Sequence, residues 1–227
     1  MLNNLDKKRR LRDPGRTRDR LLQAGFREVY RSGFQSASVD TILAATNVTK
    51  GALYYHFDSK EDLGYAIVEE IIAKLPEDKW LRPLQRGKNP IDALICVVQA
   101  TSVRREDVNG GCPLANLAQE MSALDEQFRK RLQTIFHAWQ EGITTALQRG
   151  QSQGTVRRDL VPEETAGFLI AMYEGYVMLA KNAQDAKVWN VGMKNIVRWL
   201  RSLRAPRQSR KGGLRLMSKG RVVKKRQ

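Results

Sequence analysis

"TKGALYYHFDSKEDL", residues 49–63, places two helix starts close together in the chain. Thr49 precedes Ala52, Leu53 and Phe57, and Ser59 precedes a second apolar run with Asp62 at capping-box spacing. Hydroxyl side chains at such positions accept amide hydrogens that the first turn of a helix leaves unpaired. The Thr49 helix turns Leu53 and Phe57 inward and keeps Lys50 and Gly51 in an open first turn. Just upstream, Ser38 caps another short helix with Val39, Ile42 and Leu43 inward, and "ATNV" (45–48) joins the two. Asn47 tolerates the left-handed conformation that a tight bend requires, and Val48 fills the corner. Helix, tight turn and helix over so few residues is a helix-turn-helix arrangement.

Reading outward, Leu21, Leu22, Ala24, Gly25, Val29 and Tyr30 recur at spacings of three and four and stop at Gly33, a helix terminator. Residues 1–16, basic and broken by Pro14 and Gly15, form an expected flexible arm. Downstream, the Ser59 helix carries Leu63, Ala66, Ile67, Ile71 and Ile72 as far as Pro76, where a connector containing Pro83, Gly87 and Pro90 is expected. Further helices follow over residues 91–103, 114–121, 128–147, 166–179 and 188–203. No segment has sustained strand alternation. The sequence therefore predicts an all-α chain with a three-helix helix-turn-helix unit over 17–64 and a further helical domain over 65–204. Residues 205–227, basic and without acids, are an expected disordered tail.

A net charge of +16 over 227 residues points to a polyanionic partner. No apolar run approaches the length of a membrane span and the first residues lack a secretory core, which predicts a cytoplasmic protein without membrane contact. Cys96 and Cys112 form no CxxC, and two distant histidines give no ligand cluster, so neither a metal nor a cofactor is expected.

Residues 17–63 resemble the N-terminal domain of the TetR family of transcriptional regulators, through Thr17, "LLQAG", Gly33, "SVDTILAA", "VTKGALYYHF" and "SKEDL". The family commonly has glycine where this chain has Asn47. A recognition helix offers its N-terminal residues to base edges in the major groove, which here are Thr49, Lys50 and Gly51. Lys50 can donate to guanine or phosphate, and Gly51 allows close approach. The resemblance implies contacts from Tyr54, His56 and Lys60; Tyr55 can face DNA as well, and Ser38 can touch a phosphate or act only as a helix cap. It also implies that 65–204 is a helical ligand-binding and dimerisation domain, and that the protein is a homodimer on a palindromic double-stranded operator, released by a small-molecule inducer that shifts the helix beginning at Ser59. The last two long helices would form the dimer interface, with Ala166, Gly167, Ala171 and Gly175 permitting close approach and Leu169, Tyr173, Tyr176, Val191, Ile196 and Trp199 supplying apolar surface.

Candidate lining residues of the inducer pocket are Cys112, Met121, Phe136, Trp139, Met172 and Tyr176, with Val98 and Leu117; each can equally be core. In "NGGCPLANLAQE" (109–120) Cys112 stands at an N-cap and Pro113 at the first helical position, an arrangement that favours a thiolate. The stretch is similar to a helix start in a TetR subgroup that includes repressors responding to reactive electrophiles and small unsaturated acids; a buried structural cysteine is the alternative. An enzyme built on Cys112 and His137 lacks any identifiable orienting group. A nonspecific architectural DNA-binding protein remains the rival that the basic termini suggest.

Overall fold

The computed structural model describes residues 14–101 and 105–206. The arm up to residue 13, Val103 and the tail from residue 207 fall outside the described residues. Helix α1 (Pro14–Ser32) starts ahead of the first periodic leucines, because a proline fits a first helical turn, where its missing N–H would have had no partner. It ends at Gly33, whose φ of +82° turns the chain. Helix α2 (Val39–Thr46) and helix α3 (Lys50–His56) follow, with Asn47 at φ 51° between them, as the tight bend requires. Leu21, Leu22, Ile42, Leu53, Phe57, Leu63 and Ile67 form the core of this unit. Ion pairing of Arg18 with Glu70, at 2.5 and 2.8 Å, clamps α1 to the segment after α3.

Helix α4 (Lys60–Ile67) does not end at Pro76 as the sequence suggests. A π turn (Val68–Ile72), the short helix α5 (Lys74–Pro76), a second π turn (Glu77–Leu81) and helix α6 (Arg82–Arg86) carry it onward. Each π turn lies just ahead of a proline, Pro76 or Pro83. A proline ring collides with the carbonyl four residues back in an α-helix, and a widened turn relieves that collision. The Ala73 N–H accordingly reaches back five residues to Val68 O, at 2.9 Å. Pro76 and Trp80 are consequently core residues, not parts of a connector.

Helices α7 (Pro90–Ala100), α8 (Arg105–Gly110) and α9 (Pro113–Met121) precede three long ones: α10 (Glu126–Ser152), α11 (Pro162–Ala183) and α12 (Ala186–Ser202). Asp125 caps α10 by accepting from the amides of Gln127 (2.7 Å) and Phe128 (3.1 Å). Its apolar stripe, Phe128, Leu132, Ile135, Trp139 and Ile143, is buried as the pattern predicts. Among the described residues there is no strand, only an isolated antiparallel bridge between Val156 and Arg204 that ties the end of α12 to the loop after α10. No described helix is long and apolar enough to cross a membrane.

On α11 and α12, Leu169, Tyr173 and Ile196 are buried within the chain and are unavailable as external surface. Val191 of the expected set is exposed, as are Phe168, Met178 and Leu179, and a methyl group added at Gly175 would meet only open space.

Candidate nucleic-acid interface and effector cavity

Capping decides how α3 is presented. The Thr49 hydroxyl accepts from the Ala52 amide at 3.2 Å, and the Ser38 hydroxyl accepts from Thr41 at 3.3 Å, so both are first of all caps, with donor capacity to spare. With Leu53 and Phe57 sunk in the core, Lys50 and Gly51 face outward. Nothing lies within 4 Å of where a Gly51 Cβ would stand. Tyr54 is 42% and Tyr55 78% exposed, and His56 is half-buried, edge-on to Tyr55. Lys60 is turned back: its Nζ donates to Gln35 O at 3.0 Å and lies over the Phe34 ring. The structure therefore brings Thr49, Lys50, Gly51, Tyr54 and Tyr55 onto one exposed element, flanked by Ser38 and Lys60.

Glu28, which the sequence did not single out, supports this unit from beneath. Bonds from Arg31, opposed by burial and joined by those from the Ser38 amide and Ser32 hydroxyl, hold its carboxyl below the usual range. The turn after α1 is also held by the other domain. The Glu120 carboxylate, at the end of α9, accepts from the Phe34 amide at 2.9 Å and the Gln35 amide at 2.8 Å. Tyr30 donates to Gly111 O at 2.8 Å, and Tyr65 to Asp125 at 2.7 Å.

Beyond this joint lies a cavity of about 780 Å³. Its walls include Trp80, Trp139, Tyr173 and Trp189, with Lys79, Cys112 and Glu174 among the polar lining. Lys79 donates to the Tyr173 hydroxyl at 2.7 Å. The indole nitrogens of Trp139 and Trp189 and both Glu174 oxygens are shut off from solvent without a well-formed hydrogen bond. Burial raises the Glu174 pKa, with the Cys112 thiol and Lys79 acting against it. Of the residues expected to line a pocket, Cys112 and Trp139 do so. Met121 is buried elsewhere in the core, while Phe136, Met172 and Tyr176 are half-buried against it, outside this cavity. Val98 and Leu117 are core residues too.

The thiolate expectation at Cys112 is overturned. Burial, reinforced by the Glu174 carboxyl, pushes the thiol up to about 12, although the amides of Ala115 and Leu114 pull it down. Loss of hydration by the charged form here outweighs the pull of the helix-start amides. His137 is 77% exposed beside Glu141 and is not among the residues that line the cavity with Cys112. Among the described residues no group of three or more acids, histidines or cysteines is placed to hold a metal.

Two family descriptions match the chain: "Bacterial regulatory proteins, tetR family" over residues 21–67, and "Tetracyclin repressor-like, C-terminal domain" over residues 90–196. The HTH-type transcriptional repressor DhaR of Mycobacterium sp. (strain GP1) is 32% identical over 172 residues, which cover 72% of this chain and 82% of that protein. The chain belongs to the TetR family of transcriptional regulators. Transcriptional regulator AcuR of Cereibacter sphaeroides is 31% identical across 71% of this chain and 74% of its own length. The crystal structure of a TetR transcriptional regulator from Chloroflexus aurantiacus superposes with a TM-score of 0.76 at 27% identity, covering 86% of this chain and all of that one. The TetR N-terminal match spans α2 and α3 whole, and these two helices form a DNA-binding helix-turn-helix. The C-terminal match takes in α9, much of the cavity wall and all of the exposed apolar residues named on α11 and α12.

Several residues of the TetR site escaped the sequence reading. Glu174 carried a readable signal, as the one acid in α11 beyond its first turn, set among apolar residues. Trp80 and Lys79 were hidden by the expected connector, and Trp189 by its place at the start of α12.

Proposed function

We propose that this TetR-family protein is a cytoplasmic, homodimeric repressor that binds a palindromic operator through Lys50 and its neighbours and is released by a small-molecule inducer. The observation that carries the reading is the cavity: indole N–H groups and a carboxyl withdrawn from water without well-formed bonds cost roughly 1–3 kcal/mol each. A ligand that engages them on repacking gains differential affinity for one conformation, and only such a difference can shift an equilibrium. Phe168, Met178, Leu179 and Val191 support the dimer, since a second copy would take this row out of water. One recognition helix reads only a few base pairs, so two related by a twofold axis suit an inverted repeat. The high pKa of Cys112 favours an inducer bound without covalent attack by its sulfur, and the aromatic walls suit a flat, partly apolar molecule.

The test is selection of bound sequences from a random duplex pool at fixed salt, with wild type set against Lys50→Ala. Enrichment of an inverted repeat by wild type, lost or altered with Lys50→Ala, is the expected result. Uniform retention of all sequences by both proteins refutes operator recognition and favours nonspecific DNA coating.

A further inference from the structure

The turn between α1 and α2 is gripped from two sides. From the core domain, Glu120 accepts both the Phe34 and Gln35 amides; from α4, Lys60 donates to the Gln35 carbonyl. The Phe34 side chain packs edge-on against Phe128 of α10, with ring centroids 4.6 Å apart. Gly33 leaves the space that this grip needs: a Cβ there would stand 3.0 Å from both Glu120 oxygens. The carboxylate thus occupies a position that any side chain at residue 33 would obstruct.

The other end of the same helix belongs to the cavity. Cys112, Pro113 and Leu114 line it, and Asn116 one turn on accepts from Lys181 of α11 at 2.9 Å while donating to Gly110 O at 2.7 Å. Helix α9 has nine residues, about 13 Å of rigid rise between cavity wall and DNA-domain turn. Two charge-assisted bonds at its far end transmit displacement and rotation, because a carboxylate engaged by two adjacent amides has little freedom to pivot.

We propose that Glu120 is a positioning residue for operator binding. It fixes the angle of the helix-turn-helix unit against the core and so sets the separation of the two recognition helices in the dimer, with α9 as a second lever beside α4. This assignment rests on the operator-binding dimer proposed above. Glu120 itself touches no DNA: its effect falls on the spacing between half-sites and leaves the bases read within each half-site unchanged.

The experiment uses the full chain as wild type, Glu120→Ala and Glu120→Gln. Each is first confirmed as folded and of unchanged oligomeric state by circular dichroism and sedimentation. Amide hydrogen exchange at Phe34 and Gln35 is then measured without DNA. Binding is next compared on the selected inverted repeat and on versions with the spacer lengthened or shortened by one base pair. In Glu120→Ala, exchange at the two amides is expected to rise about tenfold or more, and preference for the best spacer to fall about tenfold with half-site sequence unaltered. Glu120→Gln, which keeps one acceptor oxygen, falls between. Wild-type spacer preference in Glu120→Ala, or Phe34 and Gln35 amides unprotected in wild type, overturns the assignment. Absence of any inverted repeat in the wild-type selection would instead sink the operator reading, and the exchange result would still decide whether the clasp exists.

Discussion

Replacing Gly64 with alanine puts a methyl group where α4 meets the joint between the two domains. The new Cβ would lie 2.5 Å from Phe34 Cε2 and 2.6 Å from Phe128 Cζ. Carbon atoms rest at about 3.5–4.0 Å, so each ring must retreat by roughly 1 Å. Neither has room: Phe128 is fully buried and Phe34 nearly so, and each is packed on the other. Overpacking of this kind costs about 1–3 kcal/mol, and a weakened edge-to-face pair adds up to about 1 kcal/mol. Alanine in a helix interior returns about 1 kcal/mol relative to glycine. The net loss is therefore about 0–3 kcal/mol, a fall in Tm of up to roughly 12 °C for a chain of this size. The assay is thermal unfolding followed at 222 nm, paired with a titration of operator DNA. DNA affinity should fall as well, because Phe34 lies in the turn that Glu120 holds. A Gly64→Ala protein with wild-type Tm and wild-type affinity would refute this account of the joint.

Gly51→Ala provides the opposite case, since nothing lies within 4 Å of the added methyl. Stability should hold or rise slightly while operator affinity drops about tenfold or more, and unchanged affinity would show that α3 approaches DNA less closely. With its thiol pushed up to about 12, Cys112 should react with iodoacetamide at pH 8 far more slowly than exposed Cys96, as peptide mass spectrometry would show. Equal rates would contradict its burial. Burial, with the bond to Asp125, raises the Tyr65 pKa from 10.0 to about 12. The folded chain then retains a proton that the unfolded chain releases, so this contribution to stability is full below pH 10 and is lost between pH 10 and 12. Tyr65→Phe should remove a late-ionising tyrosine from a titration at 295 nm and flatten the loss of stability in that window; an unchanged profile would remove the assignment.

Local chemistry was the legible part of this fold. Ser38, Thr49 and Ser59 announce their helices because a cap acts over three residues, and Asn47 announces its bend because few residues tolerate its φ. Pro76 misled because its usual effect, to break a helix, is cancelled by a π turn with no sequence signature of its own. Cys112 misled for a different reason: a helix start is visible in sequence, but the Glu174 carboxyl and the burial that reverse its effect come from helices far along the chain. Glu120 left no trace, since its bonds to the turn span some 85 positions and a glutamate near a helix end usually faces water. Long-range placement of polar groups is what periodicity cannot reveal, whereas the buried stripe of α10 was readable in full apart from Phe136.

The two π turns carry a further consequence, in rotational phase. Leu63, Ile67, Ile72, Pro76, Trp80 and Leu84 are all buried, at steps of four, five, four, four and four residues. On an unbroken α-helix such a row would slide around the axis by about 40° at each four-residue step. A π turn, at about 4.4 residues per revolution, holds the row back by roughly 90° each time it occurs. Side-chain identity at an exposed position such as Glu69 therefore matters little beyond its ion pair with Arg131. Its presence as a residue matters little to the core as well: five residues at the π pitch sweep about 410° and four at the α pitch about 400°, so deleting it would restore α-helical winding and leave Trp80 and Leu84 nearly in phase, which makes each wide turn a place where the chain can lose a surface residue without turning its core row.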